Sequence, residues 1–174
     1  GGKAIAEVLF GDVNPGGKLP MTFYKNIDQL PPFDDYDIRK GRTYMYLKED
    51  PLYPFGYGLS YTNFSFTQIS LNNEQFSIND TIKVNFTLQN IGSRKGSEVP
   101  QVYIEHNGVK KLKTFNRIFL ESDESSEILF KIPIPNLERW DSSGNKFSVS
   151  SGQYMIHLGT SSADLLFSQN FIVK

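Results

Sequence analysis

Ile82-Lys83-Val84-Asn85-Phe86-Thr87-Leu88-Gln89 sets an apolar side chain at every second position and a polar one between. Successive side chains of a strand point to opposite faces, so this octet predicts a strand with one buried and one wet face. Asn90-Ile91-Gly92 ends it with turn chemistry. The same alternation returns at Ile128, Phe130, Ile132 and Ile134, and again at Tyr154, Ile156 and Leu158. Further strands are expected near 98–106, 112–120 and 165–173. Pro100 lacks an amide donor, which marks an edge or a bulge in the first of these. Asn107-Gly108, Ser142-Ser143-Gly144-Asn145 and Ser151-Gly152 supply the turns between strands. About seven short strands at this spacing predict a mainly β protein, an immunoglobulin-like β-sandwich over residues 61–174.

Upstream of residue 60 the character changes. Turn formers are dense at Asn14-Pro15-Gly16-Gly17, Pro31-Pro32, Pro51, Pro54 and Gly56-Tyr57-Gly58. Ile5, Val8 and Leu9 fall on one helical face, which predicts a short helix over 3–10 with Gly11 as its C-terminal cap. A helix that short needs a partner for its apolar face. Lys18-Leu19-Pro20-Met21-Thr22-Phe23 reads as a short strand. One helix and one strand make no domain, so residues 1–60 read as the tail of an α/β unit leading into the sandwich. That tail is expected to lie against the sandwich or a neighbouring chain, because its aromatics would otherwise face water.

Composition narrows the function classes. Of 174 residues, 39% are hydrophobic and 14% aromatic, enough apolar surface to offset the entropy of ordering the chain. The formal net charge is −1, from 18 basic and 19 acidic residues. No field draws nucleic acid or anionic lipid, and Lys110, Lys111 and Lys113 form too short a cluster to change that. The absence of Cys excludes disulfides and thiolate metal sites. No apolar run approaches the roughly 20 residues of a membrane-spanning helix, and no signal peptide is visible.

Few constellations carry chemistry. Asp34, Asp35 and Asp37 are the densest carboxylates, but their spacing lacks the frame and closing Glu of a calcium loop, and a solvated loop is expected. His106 and His157 are the only histidines. Structural roles are expected for both, with His157 on the wet face of its strand. Trp140 offers a flat ring for a sugar, although in a sandwich it is expected to plug one end of the core. Asn63, Asn79 and Asn85 begin glycosylation sequons. Neither Asn14-Pro15-Gly16-Gly17-Lys18 nor Phe55-Gly56-Tyr57-Gly58 fits a nucleotide-binding frame, so both read as tight turns and no cofactor is implied.

The same loops carry a resemblance. Ala4-Ile5-Ala6-Glu7-Val8-Leu9-Phe10-Gly11-Asp12-Val13-Asn14-Pro15-Gly16-Gly17-Lys18-Leu19-Pro20 resembles a segment near the end of the second domain of glycoside hydrolase family 3. Gly41-Arg42-Thr43-Tyr44-Met45-Tyr46 looks like the family's next block. Tyr53-Pro54-Phe55-Gly56-Tyr57-Gly58-Leu59-Ser60-Tyr61-Thr62-Asn63-Phe64 is similar to the junction that follows. Asn90-Ile91-Gly92, Gly96-Ser97-Glu98-Val99-Pro100-Gln101-Val102-Tyr103, Leu112-Lys113-Thr114-Phe115 and Gly152-Gln153-Tyr154 resemble its C-terminal fibronectin-type-III-like domain. Glu121-Ser122-Asp123-Glu124-Ser125 departs from the family's Pro-Gly-Glu turn, with Glu124 alone fitting.

The resemblance implies a parent enzyme with a barrel domain and an α/β domain upstream, typically a retaining β-glucosidase or β-xylosidase in the periplasm or outside the cell. Retention needs a nucleophilic carboxylate and a second carboxyl about 5–5.5 Å away. In the family these lie upstream, and no residue here inherits a catalytic role. Arg42 and Tyr44 are candidates for the rim of the parent's site, with a packing role favoured. The first reading is a structural accessory whose partners are the parent's upstream domains. A carbohydrate-binding module that takes oligosaccharide through Trp140, Tyr103 and the aromatic 53–66 stretch is the second. A dimerisation sandwich forming a homodimer is the third.

Overall fold

A computed structural model describes residues 1–174. Helix α1 (Gly2–Leu9) is followed by irregular chain, a 3₁₀ turn at Ile27–Gln29 and the single helical turn α2 (Thr43–Tyr46). The strands then run β1 (Phe64–Leu71), β2 (Gln75–Phe76), β3 (Thr81–Asn90), β4 (Gly96–Glu98), β5 (Gln101–His106), β6 (Val109–Phe115), β7 (Ile118–Leu120) and β8 (Ser125–Pro133). After a 3₁₀ turn at Ile134–Leu137 come β9 (Arg139–Asp141), β10 (Lys146–Ser148), β11 (Gly152–Gly159) and β12 (Leu165–Val173). One sheet has the order β1-β3-β8 and the other β2-β12-β11-β5-β6. The pairs β4-β7 and β9-β10 stand apart from both.

The alternating octet is the core of the first sheet. Ile82, Val84, Phe86 and Leu88 are all within 2% of complete burial, facing Val102, Ile104, Ile156 and Leu158 of the other sheet in one apolar cluster. Each such side chain removed from water contributes roughly 1.5–3 kcal/mol. Phe130, Ile132, Phe171 and Val173 extend the cluster.

Among the local breaks in simple alternation, three bear on the sequence reading. In β1 the inward residues change from Phe64 and Phe66 to Ile69 and Leu71, and the pairing with β3 shifts register between Thr67 and Ser70. Gln68 takes φ +54° at that point, which makes the shift a bulge. The strand expected over 98–106 is divided: β4 pairs with β7, whereas β5 pairs with β11 and β6. Pro100, without an N–H, sits at the changeover rather than within an edge strand. The third is the turn at 121–124. Asp123 takes φ +62°, a conformation that Asp tolerates better than most residues, and the Glu124 carboxylate accepts the Glu121 N–H at 2.6 Å.

The expected strand at 18–23 does not form. Residues 19–23 run beside residues 52–57 through Leu19 N–H to Tyr57 O at 2.8 Å, Gly56 N–H to Leu19 O at 2.8 Å and Phe23 N–H to Tyr53 O at 2.9 Å. Only one bridge pair, Phe23 with Tyr53, has strand geometry, because Pro20 and Pro54 remove donors from the ladder.

Candidate functional site

The outer face of β5 and β11 is dry, contrary to a one-sided reading of these strands. Gln101, Val102, Tyr103 and Ile104 are all buried in succession, as are Ile156, His157 and Leu158. The cover over β5 is the segment before Phe64. Tyr44 stacks on Phe55 at 4.5 Å and meets the Tyr103 ring edge-on at 5.9 Å. The Leu112 N–H donates to the Tyr44 hydroxyl at 3.0 Å, and Ser162 N–H donates to Phe55 O at 2.9 Å. Burial raises the Tyr44 hydroxyl above its ordinary pKa and raises that of Tyr103 further.

Polar clamps complete the attachment. Lys18 meets Glu98 at 2.7 Å with both side chains largely out of water. Gln101 donates from Nε2 to Gly56 O at 3.1 Å and to Thr160 O at 2.6 Å, and accepts the Tyr103 hydroxyl at 2.5 Å. Gly56 has φ +82°, and a Cβ there would strike the Gln101 amide, so both backbone and packing require glycine. Asn14 Oδ1 accepts from Ser60 Oγ at 3.1 Å and Tyr61 N–H at 2.8 Å, while its Nδ2 donates to Lys95 O at 3.2 Å. Arg94 and Arg117 donate to the carbonyls of Gly11 and Gly16 at 3.0 and 2.5 Å.

The other side of the segment is apolar and open. No hydrophobic residue before Phe64 is fully buried, and fifteen of the twenty-four large apolar side chains that reach solvent lie in residues 1–61. Ile5 and Leu9 of α1 are 62% and 74% exposed, and Phe10, Ile27, Phe33 and Leu59 also face solvent. Leu19, Phe23, Tyr53, Tyr57 and Leu59 line a shallow groove of about 410 Å³ on this segment. A third of the chain is therefore held to the sandwich largely by polar contacts while many of its large apolar side chains face water, unlike an independent domain.

The carboxylates do not assemble into an acid/base pair. Asp37 forms a two-pronged pair with Arg39 at 2.8 and 2.9 Å, which holds its pKa down to about 2, and Asp35 is lowered by Lys40 at 2.7 Å. Asp141 is lowered by the Ser143 hydroxyl. A general acid needs a shift in the opposite direction.

The sequence-derived candidates fall in separate places. Arg42 turns inward, donating to Asp35 O at 2.7 Å and Pro32 O at 3.0 Å, and so braces the loop that carries Phe33 and Tyr36. Tyr44 lies under the sandwich, between Phe55 and Tyr103. Tyr103 is fully buried and offers no face to a sugar. Trp140 does not plug the core: it is 55% exposed on the β9-β10 hairpin, and Leu137, three residues earlier, fills the place instead. His157 is not on a wet face. It is 5% exposed between its cross-strand neighbours Tyr103 and Ser168, with Nδ1 2.7 Å from Ser168 Oγ and Nε2 3.5 Å from Glu105. Burial lowers its pKa, and the nearby Lys110 cation adds to the effect. His106 stacks on Tyr154 at 4.0 Å, a structural position as expected. Asn63, Asn79 and Asn85 are all exposed.

Comparison with known proteins matches the two halves separately. Residues 1–61 match the family model described as the glycosyl hydrolase family 3 C-terminal domain, and residues 98–162 match the fibronectin type III-like domain. A xylan 1,4-β-xylosidase of Xylanibacter ruminicola is 42% identical over 94% of this chain and 19% of its own length. A periplasmic β-glucosidase of Salmonella typhimurium is 35% identical over 94% of this chain and 23% of its own. Among solved structures, β-glucosidase 3B from Thermotoga neapolitana in complex with glycerol aligns with a TM-score of 0.85 at 31% identity, over 98% of this chain and 26% of that one. The chain thus spans about a fifth to a quarter of the length of the proteins it matches. No helix is long and apolar enough to cross a membrane.

Proposed function

Because this chain belongs to glycoside hydrolase family 3, as the C-terminal region of such a protein, we propose that it is the stabilising accessory module of a retaining β-glycosidase. The observation that carries the reading is the two-sided segment before Phe64, clamped to the sandwich by polar contacts and apolar on its free side. Its role is to fix the end of an α/β domain against the sandwich and to present Ile5, Leu9 and the segment's other exposed apolar side chains to that domain. Residues 1–60 act as the tail of the α/β domain and residues 61–174 as the sandwich domain. Arg42 and Tyr44 serve the packing of this tail rather than contact with substrate.

The parent hydrolyses β-linked xylosides or glucosides, a reading supported by the names of the relatives. It works in the periplasm or outside the cell, in line with the periplasmic relative. The nucleophile and acid/base carboxyls belong to the parent's other domains, and the chain alone is inactive. The test is the full-length gene product against the same protein cut before Phe64, with the isolated chain as a third sample. The shortened protein is expected to unfold at a lower temperature, and the isolated chain to hydrolyse no aryl β-glucoside or β-xyloside. An unchanged midpoint, or turnover by the isolated chain, contradicts the reading.

A further inference from the structure

Trp140 and Phe147 take no part in the core or in the clamp. They face each other across the β9-β10 hairpin in register, edge to face at 5.4 Å, and are 55% and 61% exposed. The hairpin that carries them is nonetheless held firmly. Leu137 just before it lies in the core, and Val149 just after it packs against the core. Arg139 donates to His106 O at 3.0 Å and Val109 O at 2.9 Å, tying the hairpin to the turn between β5 and β6. At the far end Asp141 accepts the Ser143 N–H at 2.9 Å and its hydroxyl at 2.6 Å. Two large rings are therefore fixed in place and left in water, where they contribute nothing to the folded core.

Charge along the hairpin sequence is balanced, with Arg139 and Lys146 offset by Glu138 and Asp141, and the Arg139 donors are already used on carbonyls. The platform suits a partner that is neutral and flat on one side. A pyranose ring is such a partner, since its axial C–H bonds form an apolar face that packs on an aromatic ring. We propose that Trp140 and Phe147 form a stacking platform for a neutral β-linked xylo- or gluco-oligosaccharide chain. Phe147 holds the indole in position, so little side-chain freedom is lost on binding. The sugar class rests on the function proposed above. The binding itself resides in the hairpin and does not depend on the docking role of the segment before Phe64.

Trp140 is the only tryptophan of the chain, so its emission reports on this site alone. The chain is titrated with xylohexaose and cellohexaose, and its retardation in gels containing soluble xylan is measured. A saturable emission change with one of the two is expected, together with retardation that Trp140→Ala weakens by about tenfold or more. Trp140→Phe is expected to retain part of it, and Phe147→Ala to fall between. All three variants should unfold at the parent midpoint, because neither ring belongs to the core. A flat titration, or retardation unchanged in Trp140→Ala, overturns the proposal. So does concentration-dependent self-association that Trp140→Ala abolishes, which would assign the rings to a second copy of the chain.

Discussion

Residues 1–63 and 64–173 are held by opposite means. The sandwich buries nineteen apolar side chains between and around its sheets and keeps its polar side chains largely outside. The segment before it buries none and is attached by an ion pair, side-chain to carbonyl hydrogen bonds and one stacked tyrosine. Apolar surface is the limiting stabiliser in a domain of this size. Under the proposed accessory role, the segment that leaves its apolar side in water gains stability from the parent's upstream domains.

The contrast is sharpest in the cost of deletion. Ile156→Ala, at 1% exposure, is expected to cost about 3 kcal/mol in urea unfolding of the chain, whereas Leu9→Ala should stay within about 0.5 kcal/mol. A similar cost for both would erase the contrast. Next comes the clamp. Lys18→Ala leaves Glu98 without its cation in a dry site, at about 3 kcal/mol. Limited proteolysis should then release the segment ahead of β1 while the sandwich survives, and co-operative loss of both halves would show that they are one unit. Gly56→Ala is expected to cost about 2 kcal/mol, through left-handed strain and collision with Gln101, read as a lower thermal midpoint. Tyr44→Phe removes the acceptor of the Leu112 N–H, at about 1 kcal/mol, with faster hydrogen exchange at that amide as the check.

The smallest effect is on pH dependence. Burial and Lys110 depress the His157 pKa below 6.5 in the folded chain, so the unfolded chain binds the proton more readily. Its contribution to stability is complete above pH 6.5 and is lost as the pH falls toward the lower folded value. A His157→Gln variant should show a shallower fall over that window, and an unchanged slope would place the titrating group elsewhere.

Where a strand has one dry face and one wet face, the sequence carries enough to locate it, as in β3 and β8. Tyr103 and His157 escape that reading because what lies over their face of the sheet is not visible in their own strands: Tyr44 and Phe55, which cover Tyr103, come from the segment upstream of the sandwich. The β1 bulge at Gln68 reverses the inward parity within one strand, which a fixed period of two does not follow. Size alone assigns Trp140 to the core, yet Leu137, at the end of a 3₁₀ turn containing Pro135, fills the space. The three family blocks between Ala4 and Phe64 are legible because glycines and prolines at fixed offsets record backbone shape. Their purpose shows only when Gly56 is seen against Gln101 and Gly11 beneath Arg94.

Amide hydrogen exchange, followed residue by residue on the isolated chain and on the full-length gene product, decides whether the segment before Phe64 is an interface. That role requires amides of α1 and of residues 27–42 to exchange rapidly in the isolated chain and to become protected in the full-length product, while β3, β5 and β11 are equally protected in both. Equal protection of residues 1–63 in the two samples would contradict it.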